Sequence, residues 1–567
     1  MKRAVIYQLF VRLFSNTTQT NQFNGTNEIN GCGKFNHINN KALHSLVELG
    51  CTHIWFTGVL EQASATDYHE LNRPADPLSI CKGKAGSPYA IRDYYDLSPD
   101  LAINTKQRHQ EFTELIERTH QHGLKALIDF VPNHVARTYQ SDQKPEGTSD
   151  FGANDNKENA FDPQNNFYYI PNSTLKLPVE GNDYTETPAR ATGNDIFSAE
   201  PGVFDWYETV KLNYGIDYLD NNTTHFEPIP DTWNKMVDIL LYWTARGIDG
   251  FRCDMAGMVP PQFWNYAIGK VKEKHPETIF IAEIYEPWRY NQYLNEARFD
   301  YLYDKEGFYD ITRAVITNIR PASAISDIWK SLNGIDSKMV RFIENHDEQR
   351  VASPHFANDP HKGVLATALA AWMNTNPVMI YNGQESCEKG DWPRGFSGDD
   401  GRTSIFDYGS MTQHLNWVNS MFYDGGKLNN EQQQIRTQYS FILNSLHRFS
   451  SLREGQFYDL MYVNTQNDGF PENEFYTFLR HTPKQIMLIA IRFSGKQSQL
   501  KIRIPGHALI TSGMRPTQRG IFRQVHGEGL ISVPHIQTSG DVVTEVRIPE
   551  EGYYLAIYQP DPADLLY

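Results

Sequence analysis

The sequence predicts an α/β protein built on a (β/α)8 TIM barrel, with a subdomain inserted after strand 3 and a C-terminal antiparallel β-sandwich domain. From residue 4 to about residue 385, β-favouring apolar segments alternate with helical segments. Eight such β segments can be counted, and this number favours a closed barrel over an open doubly wound sheet. After about residue 455, short alternating segments separated by Gly and Pro are typical of an antiparallel sandwich.

Each barrel strand is predicted from a short run of apolar, β-branched or aromatic residues. The third run, KALIDFV, is apolar nearly throughout, as expected for a strand that is covered on both faces. Helices are predicted where apolar residues recur at helical spacing, in several cases up to a terminal Gly. The predicted strands are 5–14, 52–59, 125–131, 248–254, 278–284, 301–304, 339–345 and 377–382, and the predicted helices include 39–50, 110–123, 231–246 and 261–274.

One connection differs from the others, because the chain between His134 and about Asn213 is polar and only weakly periodic. A stretch of this length inside a compact domain is usually a functional insertion, so we predict an inserted subdomain at 135–213. The catalytic barrel is then predicted at 1–134 and 214–450. Alternating apolar and polar residues in 484–493, 499–504 and 542–558 predict the C-terminal domain at 455–567.

Composition limits the classes of partner and compartment. The formal net charge of −16 over 567 residues argues against nucleic acid and anionic membranes, which attract Lys and Arg. The five cysteines are scattered and odd in number, which favours a reducing compartment. The N-terminal apolar run is too short for a signal peptide, so a cytoplasmic location is predicted. The aromatic content of 13% suits a large core and equally suits sugar faces. The oligomeric state is unknown at this stage.

Polar residues stand at the C-terminal ends of four predicted strands, where function collects in a barrel. Arg252 and Asp254 lie two residues apart in a strand and should project to the same side, although a structural ion pair explains them equally well. A single histidine there is more often a satisfied core residue. Several acids at one rim repel one another and are difficult to explain as packing. The strand-end residues are Asp129, Asn133, His134, Arg252, Asp254, Glu283, His346 and Asp347.

These four segments, in this order and at these separations, resemble the conserved regions of the α-amylase family of glycoside hydrolases. Further similar stretches are Ser87-Pro88-Tyr89 with Asp93-Tyr94, Lys211-Leu212-Asn213, and the sequence PVMIYNGQE that begins at Pro377. The resemblance covers nearly the whole chain, including the insertion and the C-terminal domain. It implies the barrel fold, an α-glucan or oligosaccharide substrate, and a set of site residues.

For the acids, the resemblance implies that Asp254 is the nucleophile, Glu283 the general acid/base and Asp347 a third carboxylate that grips sugar hydroxyls. Retaining glycosidases need one ionised and one protonated carboxyl about 5–5.5 Å apart. We expect Arg252 to lower the pKa of Asp254, and the apolar strand around Glu283 to raise the pKa of that residue.

For substrate binding, the resemblance implies that His134 and His346 bond the same sugar and that Tyr89 stacks on its ring. Arg252 would orient the nucleophile, and Asp129 would belong to the polar network behind Arg252.

Two departures from the family pattern affect the expectations. Gly257 and Met258 occupy positions where many starch-degrading members have a Lys-His pair, which leaves substrate length and the choice between hydrolysis and transfer open.

Asn133 matches a family calcium position, although an ordinary hydrogen-bonded loop Asn explains it equally well. The loop at 24–34 has Asn and Lys where a calcium loop has carboxylates, so calcium is not expected there. No cofactor is expected to be required, with calcium as a possible ligand.

The predicted function is cleavage of α-glucosidic bonds, α-1,4 links in starch, glycogen or maltooligosaccharides, with retention through a covalent glycosyl–Asp254 intermediate. One alternative is a transglycosylase or a disaccharide-acting isomerase of the same family. A second alternative is a non-catalytic carbohydrate-binding relative, against which the presence of Asp254, Glu283 and Asp347 argues.

Overall fold

A sheet of eight parallel strands lies at the centre of the chain. The computed structural model describes residues 3–396, 398–466, 469–495, 499–513, 520–525, 540–548 and 552–560. Neighbours in the sheet follow chain order, and a parallel bridge between Arg341 and Val378 joins the last two strands. The predicted barrel is therefore confirmed. Its strands are β1 (Val5–Phe10), β2 (His53–Thr57), β3 (Lys125–Phe130), β4 (Gly250–Cys253), β5 (Ile279–Ala282), β6 (Tyr301–Tyr303), β7 (Met339–Val340) and β8 (Val378–Tyr381).

Helices connect the strands and cover the barrel. The first begins after Asn39, whose side chain accepts hydrogen bonds from the N–H groups of Lys41 and Ala42, and it ends at Gly50 in the left-handed region. No helix within the described ranges is both long and apolar enough to cross a lipid bilayer. The main helices around the barrel are α1 (Asn40–Leu49), α2 (Arg108–Gln121), α3 (Asp231–Thr244), α4 (Pro261–Lys274), α5 (Tyr290–Asn295), α6 (Asp310–Ile316), α7 (Ser326–Leu332), α8 (Pro360–Trp372) and α9 (Asn430–Arg448).

Several predicted strands end earlier in the structure than the sequence indicates. The predicted strand 5–14 stops at Phe10, and Val11–Phe14 forms a short helix whose residues are buried. The apolar run extends beyond the strand because these residues pack inside the protein. They do not continue the β ladder. Strand β4 stops at Cys253, and β5 at Ala282. Asp254 and Glu283 therefore lie just beyond the ladder, where their side chains reach the rim of the barrel.

The connection between β3 and α3 carries short antiparallel pairs. His134–Ala136 pairs with Thr209–Lys211, and Tyr169–Ile170 pairs with Ala189–Arg190. The first of these pairs continues directly from the end of β3, so the far end of the connection returns to the barrel rim beside His134. The division of the chain into the three predicted domains remains a prediction.

After α9 the chain forms two antiparallel sheets. Strands β12 and β14 form one sheet, and the other five strands form the second in the order β9-β10-β11-β15-β13. Apolar side chains from both sheets share one core, which includes Leu488, Ile502 and Val546. Residues 549–551 of the predicted strand 542–558 lie outside the described residues. The strands are β9 (Gln456–Asp459), β10 (Phe475–Thr482), β11 (Gln485–Arg492), β12 (Gln499–Ile504), β13 (Gly520–Gln524), β14 (Val542–Arg547) and β15 (Tyr553–Pro560).

A buried ion-pair network lies at the point where the barrel closes. Arg341 is fully buried, and its Nε and Nη2 lie 2.9 Å from carboxylate oxygens of Asp304 and Asp336, respectively. The other oxygen of Asp304 accepts a hydrogen bond from the N–H of Phe308. Removing one partner of such a network leaves buried charges without compensation, which costs far more than the intact network contributes.

We expect Arg341→Met to lower the free energy of unfolding by about 3–5 kcal/mol, because it leaves two buried carboxylates without a cation. The matched control is Arg320→Met, which removes an Arg–Asp pair at 2.8 Å whose side chains are exposed and should cost less than about 1 kcal/mol. Urea denaturation followed by circular dichroism measures both. Equal losses in the two variants would contradict the importance of the buried network.

Candidate active site

Arg252 is the buried cation at the centre of the rim. It lies on β4 opposite Asp129 of β3 and Ile281 of β5, and it is 1% exposed. Its Nη1 donates to Oδ1 of Asp254 at 2.7 Å, and its Nη2 lies 2.6 Å from Oε1 of Glu283. One guanidinium thus contacts both carboxylates through its two terminal nitrogens. Asp129 is farther away, with its Oδ1 at 3.7 Å from Nη1 of Arg252.

Two further donors hold Glu283. The backbone N–H of Met255 donates to Oε2 at 2.7 Å, and the hydroxyl of Tyr285 donates to Oε1 at 2.6 Å. Met255 has a φ of +43°, in the left-handed region that non-glycine residues seldom adopt. This local conformation directs the peptide N–H that follows Asp254 towards the carboxylate on the neighbouring strand.

His346 and Tyr89 form a second group on the rim. The side-chain amide of Gln8 donates to Nδ1 of His346 at 2.8 Å, which leaves the ring proton on Nε2. Nε2 lies 2.6 Å from the Tyr89 hydroxyl and 3.0 Å from Oδ2 of Asp347. The rings of Tyr89 and His346 stack, with centroids 5.1 Å apart. Asp347 has a side chain that is 46% exposed and faces the solvent end of the group.

His134 lies at the junction with the inserted connection. Its ring meets that of Trp206 edge-on, with centroids 5.3 Å apart. Burial, and then the charges of Lys211 and Lys82, lower the pKa of His134 to about 3. The imidazole is therefore neutral at physiological pH and can offer one donor and one acceptor.

A cavity of about 260 Å³ joins these groups. The predicted residues Tyr89, His134, Asp254, Glu283, His346 and Asp347 line it, whereas Arg252 lies behind Asp254 and Asn133 is not part of the lining. Residues from the loops complete the wall, and sequence reasoning missed them because loops that meet only in the fold carry no local motif. The lining is Lys82, Ser87, Tyr89, His134, Trp206, Glu208, Thr209, Asp254, Met255, Glu283, Tyr285, His346, Asp347, Ile405 and Phe406.

Arg252 lowers the pKa of Asp254, as expected, but the net shift of that pKa is upward. Burial, and then the neighbouring charge of Glu283, raise the pKa of Asp254 well above its usual value, and Arg252 offsets only part of this rise. Burial and the neighbouring carboxylate thus favour the protonated form of Asp254 by more than the adjacent guanidinium opposes it.

The residues around Asn133 do not fit a calcium ion. Oδ1 of Asn133 accepts a hydrogen bond from Nζ of Lys211 at 2.7 Å, and its Nδ2 donates to the carbonyl of Gly193. The nearby carboxylate of Asp195 is paired with the same ammonium at 2.6 Å. A calcium ion bound to Asn133 would lie against a positive charge, whereas calcium prefers several anionic oxygens.

Another group of carboxylates comes close enough to be considered for a metal. Oxygen atoms of Glu61, Asp93 and Asp96 lie within 4.8 Å of one another, and all three residues are buried. Arg73 and Arg92 already contact Glu61. Asp96 is contacted by Arg108 and His109, and Asp93 accepts hydrogen bonds from Ser141 and three backbone N–H groups. The group is thus explained as a compensated polar network.

We expect Asp254→Asn to be more stable than the wild type at pH 7, because an acid whose pKa is raised in the folded state destabilises that state when it is ionised. The new amide oxygen can still accept from Arg252. The advantage should be largest at neutral pH and disappear as the pH falls towards about 3.9, the pKa of an unfolded Asp. Thermal unfolding between pH 4 and pH 8 measures it. A variant less stable than the wild type at pH 7 would contradict the assigned direction.

We expect prolonged treatment with EDTA to leave the melting temperature unchanged, because Lys211 supplies the cation at Asn133. The complementary variant is Lys211→Met, which should lower the melting temperature by leaving Asp195 and Asn133 without their donor. A fall in melting temperature on chelation, restored by added calcium, would show that an ion binds elsewhere.

The chain is similar in sequence to known proteins. The chain is 22% identical over 395 residues to Alpha-amylase MalA of Haloarcula japonica, covering 68% of this chain and 44% of that protein. It is 25% identical over 409 residues to a cyclomaltodextrin glucanotransferase of a Bacillus species, covering 68% of this chain and 50% of that protein. The chain thus spans about half the length of these relatives.

Solved structures share the fold over nearly the whole chain. The maltogenic alpha-amylase AmyB from Thermotoga neapolitana aligns over 98% of both chains with a TM-score of 0.61 and 18% identity. A family model described as Alpha amylase, catalytic domain, matches residues 8–440, which are most of the sequence. On this match, the chain belongs to the α-amylase family of glycoside hydrolases.

Proposed function

We propose that the protein is a retaining enzyme that cleaves α-glucosidic bonds, with α-1,4 links in starch, glycogen or maltooligosaccharides as its substrates. The observation that carries the proposal is the contact of one buried guanidinium, Arg252, with both Asp254 and Glu283 at the wall of a cavity. Family membership supports it, and so do the names of relatives that are themselves α-amylases.

In the first step, a carboxylate oxygen of Asp254 attacks the anomeric carbon of the sugar. A new bond forms between that oxygen and the carbon while the glycosidic carbon–oxygen bond breaks. Glu283 donates its proton to the departing oxygen, so that the leaving sugar departs as a neutral alcohol. Arg252 stays in contact with both acids and compensates the charge as it moves from Asp254 to Glu283.

In the second step, Glu283 is ionised and removes a proton from an incoming water molecule. The water oxygen bonds to the anomeric carbon, the bond to Asp254 breaks, and Asp254 recovers its negative charge. Two inversions at the same carbon give overall retention of configuration. Tyr285 and the N–H of Met255 hold Glu283 in one orientation for both proton transfers.

Asp347, His346 and His134 are proposed to bind the hydroxyl groups of the same sugar. Neutral His134 can donate or accept, and Asp347 can accept two hydroxyl hydrogens as the ring flattens. Tyr89 packs on His346 in the structure and lines the same cavity, so it is proposed to contact the sugar at this wall.

Transfer to a second sugar is the alternative use of the same intermediate. On the leaving-group side, Gly257 has no side chain, and its carbonyl oxygen accepts a hydrogen bond from Nη1 of Arg289 at 2.8 Å. The leaving-group side of the cavity therefore lacks the Lys-His pair that many starch-degrading members of the family have where this chain has Gly257 and Met258. A cyclomaltodextrin glucanotransferase is among the similar proteins. The products formed from maltoheptaose distinguish the two outcomes, since chains longer than the substrate arise only by transfer.

We expect Asp254→Asn and Glu283→Gln each to reduce the rate of maltoheptaose cleavage by at least about 10³-fold, because each removes a group that forms or breaks a bond. The control is Glu431→Gln, which changes an exposed acid and should keep the wild-type rate. Product chromatography measures the rate, and proton NMR of the first product should show the α-anomer. A β-anomer first product, or near-wild-type rates in either variant, would refute the mechanism.

A further inference from the structure

A buried ion pair closes part of the cavity that holds the proposed reacting acids. Nζ of Lys82 lies 2.6 Å from Oε1 of Glu208, and the side chains of Lys82 and Glu208 are 18% and 4% exposed. Both residues line the same cavity as Asp254. Lys82 comes from the loops after β2, whereas Glu208 comes from the far end of the connection between β3 and α3. Nothing in the proposed two-step mechanism uses either residue.

The position of the pair assigns it to one side of the reaction centre. Met255 and Tyr285 donate hydrogen bonds to Glu283, the proposed proton donor to the leaving group. Lys82 instead lies on the side of His134, close enough for its charge to lower the pKa of that histidine. The ammonium of Lys82 also lies 6.0 Å from the centroid of the Phe406 ring. The pair therefore borders the space for the sugar that is transferred to Asp254, away from the leaving group.

One oxygen of the pair has no partner. Oε2 of Glu208 is buried and accepts no hydrogen bond within the described part of the chain. A buried charged atom in this state is costly, and apolar side chains of similar size would stabilise the fold at least as well. A sugar hydroxyl supplies what is missing, since it can donate to Oε2 of Glu208 while its oxygen accepts from Nζ of Lys82.

The size of the cavity agrees with a small sugar group. Its volume of about 260 Å³ is below the range of roughly 300–1,000 Å³ that is usual for pockets of drug-sized ligands. Lys82 and Glu208 form part of the cavity wall on the side of His134, so an α-glucan chain that continued past the transferred sugar there would meet the ion pair.

On the basis of the proposed function, we propose that Lys82 and Glu208 form a charged end wall. This wall binds hydroxyls at the non-reducing end of a terminal glucosyl unit. The enzyme would then act on chain ends and not on internal bonds. Lys82 and Glu208 are specificity-determining residues in this proposal, since they bind the part of the substrate that distinguishes an end from an interior unit.

The first test uses the wild-type protein and two substrates, maltoheptaose and maltoheptaose whose terminal O4 and O6 carry an ethylidene block. We expect the blocked substrate to be cleaved at least about 100-fold more slowly, because the block removes both hydroxyls and collides with the end wall. Equal rates on the two substrates would contradict the proposed role of the end wall but not the proposed function. Failure to cleave either substrate would overturn the proposed function and the end wall with it.

The second test uses Glu208→Gln and Lys82→Met on unblocked maltoheptaose. Each should raise KM about 10-fold or more, the usual effect of losing a hydrogen bond to a charged group, with a smaller change in kcat. The control is Glu200→Gln, which removes an exposed ion pair with Lys176 on the same connection and should leave KM unchanged. If Glu208→Gln lowers the melting temperature but leaves KM at the wild-type value, the pair has only a structural role and the proposal is overturned.

Discussion

The shared contact of Arg252 with Asp254 and Glu283 is the constraint on which the site depends. A guanidinium buried to 1% exposure must be compensated, and the two carboxylates compensate it through separate nitrogens. The carboxylates in turn need the cation, since two buried acids side by side repel each other. The guanidinium thus keeps the two acids beside each other, so the fold holds the reacting groups together before a substrate binds.

The barrel supplies this arrangement through strand register. Arg252 faces Asp129 on one neighbouring strand and Ile281 on the other, and both acids follow directly where the ladder stops. The loops then determine what the cavity admits, since Lys82, Glu208 and Phe406 all come from outside the barrel strands. The barrel strands thus fix the positions of the reacting acids, and the connecting loops determine which substrates the cavity accepts.

The sequence was sufficient for the barrel and for the position of the acids, because polar residues at strand ends contradict the apolar pattern around them. The direction of the net pKa shift of Asp254 could not be predicted from the sequence. Arg252 is close to Asp254 along the chain, but its contact with Glu283 forms only in the fold. The first strand was predicted too long, because buried apolar residues in Val11–Phe14 imitate a strand. The ion pair of Lys82 and Glu208 could not be predicted, since the two segments meet only after folding.

Met255 has a consequence for how this rim can change over evolutionary time. Its peptide N–H belongs to the chain immediately after Asp254, yet it contacts Glu283 on the adjacent strand. A single inserted or deleted residue at this corner would move that N–H away from Glu283, whereas the longer connections elsewhere on the rim can vary in length without touching this contact. The corner after Asp254 is therefore expected to tolerate changes in length less well than the connections around it, and new specificities are expected to arise by remodelling those connections.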